Sequence, residues 1–196
     1  MLESCGVDVL LCAGNHDESR KIQGLFGVEG RNGRLDYVRE LSQGRLVVLD
    51  SSREGRGDGE IDDDQAGWLA SVLADGAPCL VAMHHPCFSI GGRALDGVRL
   101  DDASVARLAG VVSAHANVLA VVSGHAHMSL TTAFAGTHAF ACPSVAYEFD
   151  FRGRDLLYRP GMPQYALHTW VQGGEGFFSR VITVAPDADW LVMESF

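Results

Sequence analysis

The chain is poor in positive charge. Its 196 residues carry 15 Lys and Arg against 25 Asp and Glu, a formal net charge of −10. General nucleic-acid binding and attachment to anionic membranes both rest on basic surface, so both are excluded as main roles. A phosphate substrate is not excluded, because bound metal ions supply positive charge locally. Nothing in this sequence reads as a signal peptide. "MLESCGVDVLLCAGNHD" has no basic start, and its apolar run is short and broken by Asp8. No window reaches the roughly 18 apolar residues of a membrane span. A disulfide or zinc framework is missing too. The five cysteines, Cys5, Cys12, Cys79, Cys87 and Cys142, are scattered and form no CxxC. They read as reduced thiols of a cytoplasmic protein. None stands in structural-zinc spacing beside a histidine.

Against those absences stand several short apolar runs. "VDVLLCA" (7–13), "RLVVLD" (45–50), "CLVAMHHP" (79–86) and "VLAVVSGHAH" (118–127) read as buried strands. "GEIDDDQAGWLASVLAD" opens with acidic residues and places Trp68, Leu69, Val72 and Leu73 at helical spacing. "DDASVARLAGVVSAHA" (101–116) is a second helix, with Val105, Leu108, Val111 and Val112 on one face. The character then changes. "LTTAFAGTHAFA" (130–141) and "YALHTWVQGGEGFFSRVITV" (165–184) read as hairpins, with "EFDFRGRDLLYRPGMP" between them as an irregular loop. No linker or repeat divides the chain, so 1–196 reads as one layered α/β domain.

Three of the apolar runs end in polar clusters: Gly14-Asn15-His16-Asp17, His84-His85-Pro86 and Gly124-His125-Ala126-His127. Crossover connections bring such strand ends to one sheet edge, where α/β folds hold their sites. Imidazole nitrogen and amide oxygen suit first-row divalent metals. A histidine ending one strand is ordinarily a surface residue, but three such clusters together point to a site. A spacing of two puts His125 and His127 on one side of a continuing strand, whereas a turn splays them towards two ions. His115, His138 and His168 read as structural, with His168 a weak candidate for flanking the site. Asp62-Asp63-Asp64 reads as the charged start of a helix, not a metal site.

"GNHD", "HHP" and "GHAH" in this order resemble three motif blocks of the calcineurin-like metallophosphoesterases. "LDSSREGRGDGEIDDDQAGWLASVLAD" and "GHAHMSLTTAFAGTHAFACPSVAY" are similar to the class III cyclic-nucleotide phosphodiesterase branch, and the resemblance covers nearly the whole chain. It implies an αββα sandwich of two mixed sheets with two divalent metals (Mn, Fe, Zn or Co) at the strand ends. By the resemblance Asn15, His84 and His125 bind one metal and His127 the other. His16 contacts phosphate and protonates the leaving oxygen, Asp17 orients His16, and His85 borders the substrate. The implied reaction is attack of a metal-bound hydroxide on a 3′,5′-cyclic nucleotide or similar small phosphodiester. That partner is a small molecule, not a nucleic-acid polymer, and a homo-oligomer is left open.

The family pattern also has an Asp-x-His block and a Gly-Asp block upstream of GNHD. Here 13 residues precede Gly14 and hold neither, no Asp-x-His occurs anywhere, and the one Gly-Asp, Gly57-Asp58, comes too late. The expectation is a domain without its first strand-helix-strand portion, in which "VDVLLCA" is an open edge. A catalytically impaired or non-catalytic binding module on the same scaffold, holding one metal or none, is the alternative function. Specificity is expected from the loops 87–100 and 148–164, whose Arg93, Arg99, Arg152, Arg154 and Arg159 read mostly as solvated charges.

Overall fold

The computed structural model describes residues 6–153, 155–171 and 176–185. Cys5 and Arg154 therefore lie outside the described residues. The largest sheet is six-stranded and mixed. It is built from β1 (Tyr37–Leu41), β2 (Gly44–Leu49), β3 (Cys79–Met83), β4 (Val118–Ser123), β5 (Leu130–Phe134) and β6 (Thr137–Ala141), in spatial order β1-β2-β3-β4-β6-β5. The inner pairs β2/β3, β3/β4 and β4/β6 are parallel, and the two rims, β1 on β2 and β5 on β6, are antiparallel hairpins.

Parallel strands need crossover connections; those from β2 to β3 and from β3 to β4 are helical, while β4 reaches β6 through β5. Helix α1 (Ser19–Phe26) precedes β1, α2 (Asp63–Leu73) joins β2 to β3, and α3 (Arg93–Asp96) and α4 (Asp102–Ser113) join β3 to β4. The acidic run before α2 forms a reciprocal cap: Asp62 accepts from the Gln65 N–H and Gln65 accepts from the Asp62 N–H. Asp63 pairs with Arg107 and Asp64 with Arg31, so the triple Asp is a helix start. Leu69 and Leu73 of α2 and Leu108 and Val112 of α4 bury against Val47, Leu49, Val81 and Val121 of the sheet. This core stands behind the site edge and holds the strand ends in place.

Beyond the main sheet lie two antiparallel ribbons, β7 (Tyr147–Arg152) with β8 (Asp155–Pro160) and β9 (Gln164–Val171) with β10 (Gly176–Thr183). The second packs on β6, with the Phe140 ring 5.5 Å from His168 and 6.0 Å from Phe177. His168 is tied to Ser179 at 2.6 Å and sits within this packing.

Two expectations are corrected. "VDVLLCA" is not a buried strand. It joins no ladder, and Val7, Val9 and Leu10 are 65%, 40% and 37% exposed. It is held from the side, by Tyr37 donating to the Leu11 carbonyl and Arg39 pairing with Asp8. An apolar run becomes a strand only where a neighbouring backbone supplies hydrogen bonds. Conversely, 148–160 is no irregular loop. Phe149 and Phe151 alternate with Glu148 and Asp150, the period of a one-faced strand, and Gly153 takes the left-handed φ of 64° at the turn.

Candidate metal and phosphoester site

The site forms at the carboxyl ends of β3 and β4, beside the turn at Gly14–Asp17. In that turn the Asp17 N–H donates to the Gly14 carbonyl at 3.1 Å, and the Gly14 N–H donates to the Asp17 carboxylate at 2.8 Å. Asp17 is thus spent on closing the turn. Among the described residues no hydrogen bond joins Asp17 directly to His16; Asp17 closes the turn, and His16 stands exposed at its tip. Gly14 lies under the His84 ring, where a Cβ would meet ring atoms at 3.0 to 3.2 Å.

His84 follows β3 by one residue. Its Nε2 lies 3.0 Å from Asn15 Oδ1 and 3.1 Å from His125 Nδ1. One hydrogen on His84 Nε2 serves one of these neighbours, whereas a cation serves all three atoms. Ligands at adjacent octahedral positions, about 2.1 Å from a metal, stand about 3 Å apart. Burial, with the neighbouring histidines, pushes His84 down to about 3 and His125 down to about 4. Both rings are therefore neutral at pH 7, as ligation requires. The donor set fits one divalent cation.

His85 is the correction among the histidines. It does not border an open substrate space. It is fully buried, its Nδ1 is 2.9 Å from Ser51 Oγ, and its Nε2 is 3.2 Å from the Gly57 carbonyl. The carbonyl accepts only, so Nε2 carries the proton and Nδ1 accepts from the Ser51 hydroxyl. Both nitrogens are committed, which removes His85 as a ligand although its ring stands 4.9 Å from both His84 and His125. Gly59 packs on that ring so closely that a Cβ would lie 2.5 Å from it. The lone Gly-Asp thereby has an assignment. The Gly57 carbonyl holds His85, while Asp58, held down to about 2 by its bond from Arg56, pairs with Arg53 and Arg56.

The strand ends at Ser123, and the chain turns through positive φ at His125 (62°) and His127 (51°), which splays the two rings. His127 Nδ1 donates to the Tyr147 carbonyl at 3.1 Å, leaving the Nε2 lone pair free. It stands apart from the group formed by His84, His85 and His125. Among the described residues no group of three or more His, Cys, Asp or Glu includes His127, so the residues present do not complete a two-metal centre.

Two elements of the site were not anticipated from sequence: Ser51, which fixes the His85 tautomer, and the aromatic face of β7–β8 against His127. The alternation in "YEFDF" carried the signal for the second. Of the loop arginines, Arg99 pairs with Asp102 and Arg159 with Glu148, while Arg93 and Arg152 are exposed. Burial pushes the Cys12, Cys79 and Cys87 thiols up to about 12 and raises Cys142, which favours the protonated thiol over the thiolate.

The chain shares its layered α/β fold with a dimetal phosphatase from Danio rerio, at a TM-score of 0.62 and 16% identity over 94% of this chain and 74% of that one. No family model matches. A probable cyclic nucleotide phosphodiesterase of Synechococcus is 32% identical over 150 residues, 76% of this chain and 57% of that protein. A cAMP/cGMP dual specificity phosphodiesterase of Mycobacterium tuberculosis is 32% identical over 161 residues, 76% of this chain and 49% of that protein. A glycerophosphodiester phosphodiesterase of Enterobacter lignolyticus is 26% identical over 198 residues, 95% of this chain and 69% of that protein. The chain spans about half the length of the cyclic-nucleotide relatives. With the fold, the motif order and the histidine cluster, these relatives place the chain in the calcineurin-like metallophosphoesterase superfamily, a family of phosphoester-cleaving enzymes.

Proposed function

We propose that the chain is a metal-dependent phosphodiesterase acting on 3′,5′-cyclic nucleotides or similar small diesters. The observation that carries this reading is the convergence of Asn15 Oδ1, His84 Nε2 and His125 Nδ1 at 3.0 and 3.1 Å. These three would hold a divalent ion. When bound, it neutralises phosphate charge and lowers the pKa of coordinated water. An acidic protein needs such local charge to accept an anion.

The chain's own residues divide the remaining work. His127, with Nδ1 anchored on the Tyr147 carbonyl, turns Nε2 towards the phosphate side. His16, exposed at the tip of the Gly14–Asp17 turn, is placed to donate a proton to the departing alkoxide, a general-acid role. Asp17 acts through that turn and is a positioning residue. Ser51 and Gly57 lock His85, which packs as a rigid wall behind His84 and His125. The four described cysteines are free, which fits a reducing cytoplasmic setting, and no helix among the described residues is long and apolar enough to cross a membrane.

A non-catalytic binding module is the second reading. The isolation of His127 favours it, because a two-metal reaction needs more than one donor on that side. Hydrolysis of a chromogenic phosphodiester with added manganese separates the two. The enzyme reading predicts a rate that collapses in His125→Ala. A chain that binds manganese and phosphate but shows no His125-dependent turnover supports the module.

A further inference from the structure

The β7–β8 ribbon has one apolar face. Its register sets Tyr147 opposite Pro160, Phe149 opposite Tyr158 and Phe151 opposite Leu156. The other face is polar and carries the Glu148–Arg159 ion pair. Half of the apolar face is covered: Phe149, Phe151 and Leu156 pack on the cluster of Ile90, Leu95, Ala126 and Ala141, and the Phe151 ring closes over Gly92. The other half is open. Tyr147 is 41% and Tyr158 75% exposed, and with Ala146, Phe149 and Pro160 they line a cavity of about 440 Å³. A contiguous exposed aromatic patch beside a polar site marks a surface on which a ligand can stack.

That open half is joined directly to the phosphoester site. The His127 ring lies 4.5 Å from the Tyr147 ring and is stacked 5.0 Å from Phe149 at 25°. Tyr147 and Tyr158 meet edge to face at 6.2 Å and 71°, so the cavity wall presents an aromatic face and an aromatic edge. Among the described residues no charged side chain lines it. A phosphate held at the histidines leaves the rest of the ligand over these rings. A flat neutral heterocycle gains dispersion and stacking there, whereas a glycerol or alkyl arm gains little.

We propose that Tyr147, Phe149 and Tyr158 form a stacking site for the base of a nucleotide whose phosphate sits at His84, His125 and His127. This inference rests on the phosphodiesterase reading and names the part of the substrate that the ribbon selects. Tyr158, the most exposed of the three, sets the outer wall, and its removal costs little in folding because little of it is buried.

The test is equilibrium binding to the full chain with manganese, followed by calorimetry or tyrosine fluorescence, and needs no turnover. Adenosine 5′-monophosphate, ribose 5-phosphate, phosphocholine and adenosine are compared in wild type and Tyr158→Ala. The monophosphate is expected to bind about five- to a hundredfold more tightly than ribose 5-phosphate, and Tyr158→Ala to collapse that difference. Adenosine alone is expected to bind weakly and to lose binding in the same variant. Equal affinity for the two phosphates overturns the proposal, as does Tyr158-dependent preference for phosphocholine over the nucleotide. A dimer that Tyr158→Ala turns into monomer, with no nucleotide preference, overturns it in favour of a self-association surface. Adenosine binding that depends on Tyr158, together with no manganese-dependent binding of ribose 5-phosphate, keeps the stacking site and sinks the phosphodiesterase reading instead.

Discussion

Two imidazole groups at one sheet edge live in opposite circumstances. On the β3 side, His84 and His125 crowd together with Asn15, and their ring nitrogens face one another across about 3 Å. On the β7 side, His127 stands alone against aromatic rings, with one nitrogen tied to a backbone carbonyl and the other free. The difference teaches what makes a metal site. Donor type is the same on both sides; convergence of the donor atoms is present on only one.

The comparison predicts unequal losses. His84→Ala removes the atom shared by both contacts and is expected to weaken manganese binding by about 100-fold or more, while His127→Ala costs less than about tenfold. Equal losses in the two variants, read by equilibrium dialysis, would erase the distinction. Ser51→Ala leaves His85 Nδ1 buried without its partner and is expected to cost about 1–3 kcal/mol in urea unfolding, with manganese affinity nearly unchanged. A large affinity change there would mean that His85 is a ligand after all. Gly14→Ala places a methyl within 3.0 Å of the His84 ring and is expected to weaken binding about tenfold by displacing that ring. Unchanged affinity would show that the turn does not set the ring's position.

The pH dependence separates the two sides as well. In the metal-free chain His84 and His125 have folded pKa values near 3 and 4, below the usual 6.5. The unfolded chain therefore binds protons first, so stability present above about pH 6.5 is lost as pH falls towards 4. His84→Ala should flatten that slope in urea titrations at stepped pH. An unchanged slope would place the acid sensitivity elsewhere.

Much of this was legible in the sequence. The helices at 63–73 and 102–113 announced themselves by apolar spacing and acidic starts, and the polar ends of the runs at 79–83 and 118–123 meet in the structure at His84 and His125. What was not legible depended on tertiary neighbours. "VDVLLCA" has a strand's composition, but composition does not supply a ladder partner. Of two adjacent histidines, the sequence does not say which turns inward to Ser51 and which meets Asn15 across the sheet edge; that is decided by where β2 and the Gly57 loop lie. The splaying of His125 from His127 follows from two positive φ angles that a histidine seldom adopts, so only the turn itself reveals it.

Manganese stoichiometry tests the central claim most directly. The account predicts one tightly held ion per chain by elemental analysis after dialysis, retained in His127→Ala and lost in His84→Ala and His125→Ala. Two tightly held ions per chain, or one that survives removal of His84 and vanishes with His127, would contradict it.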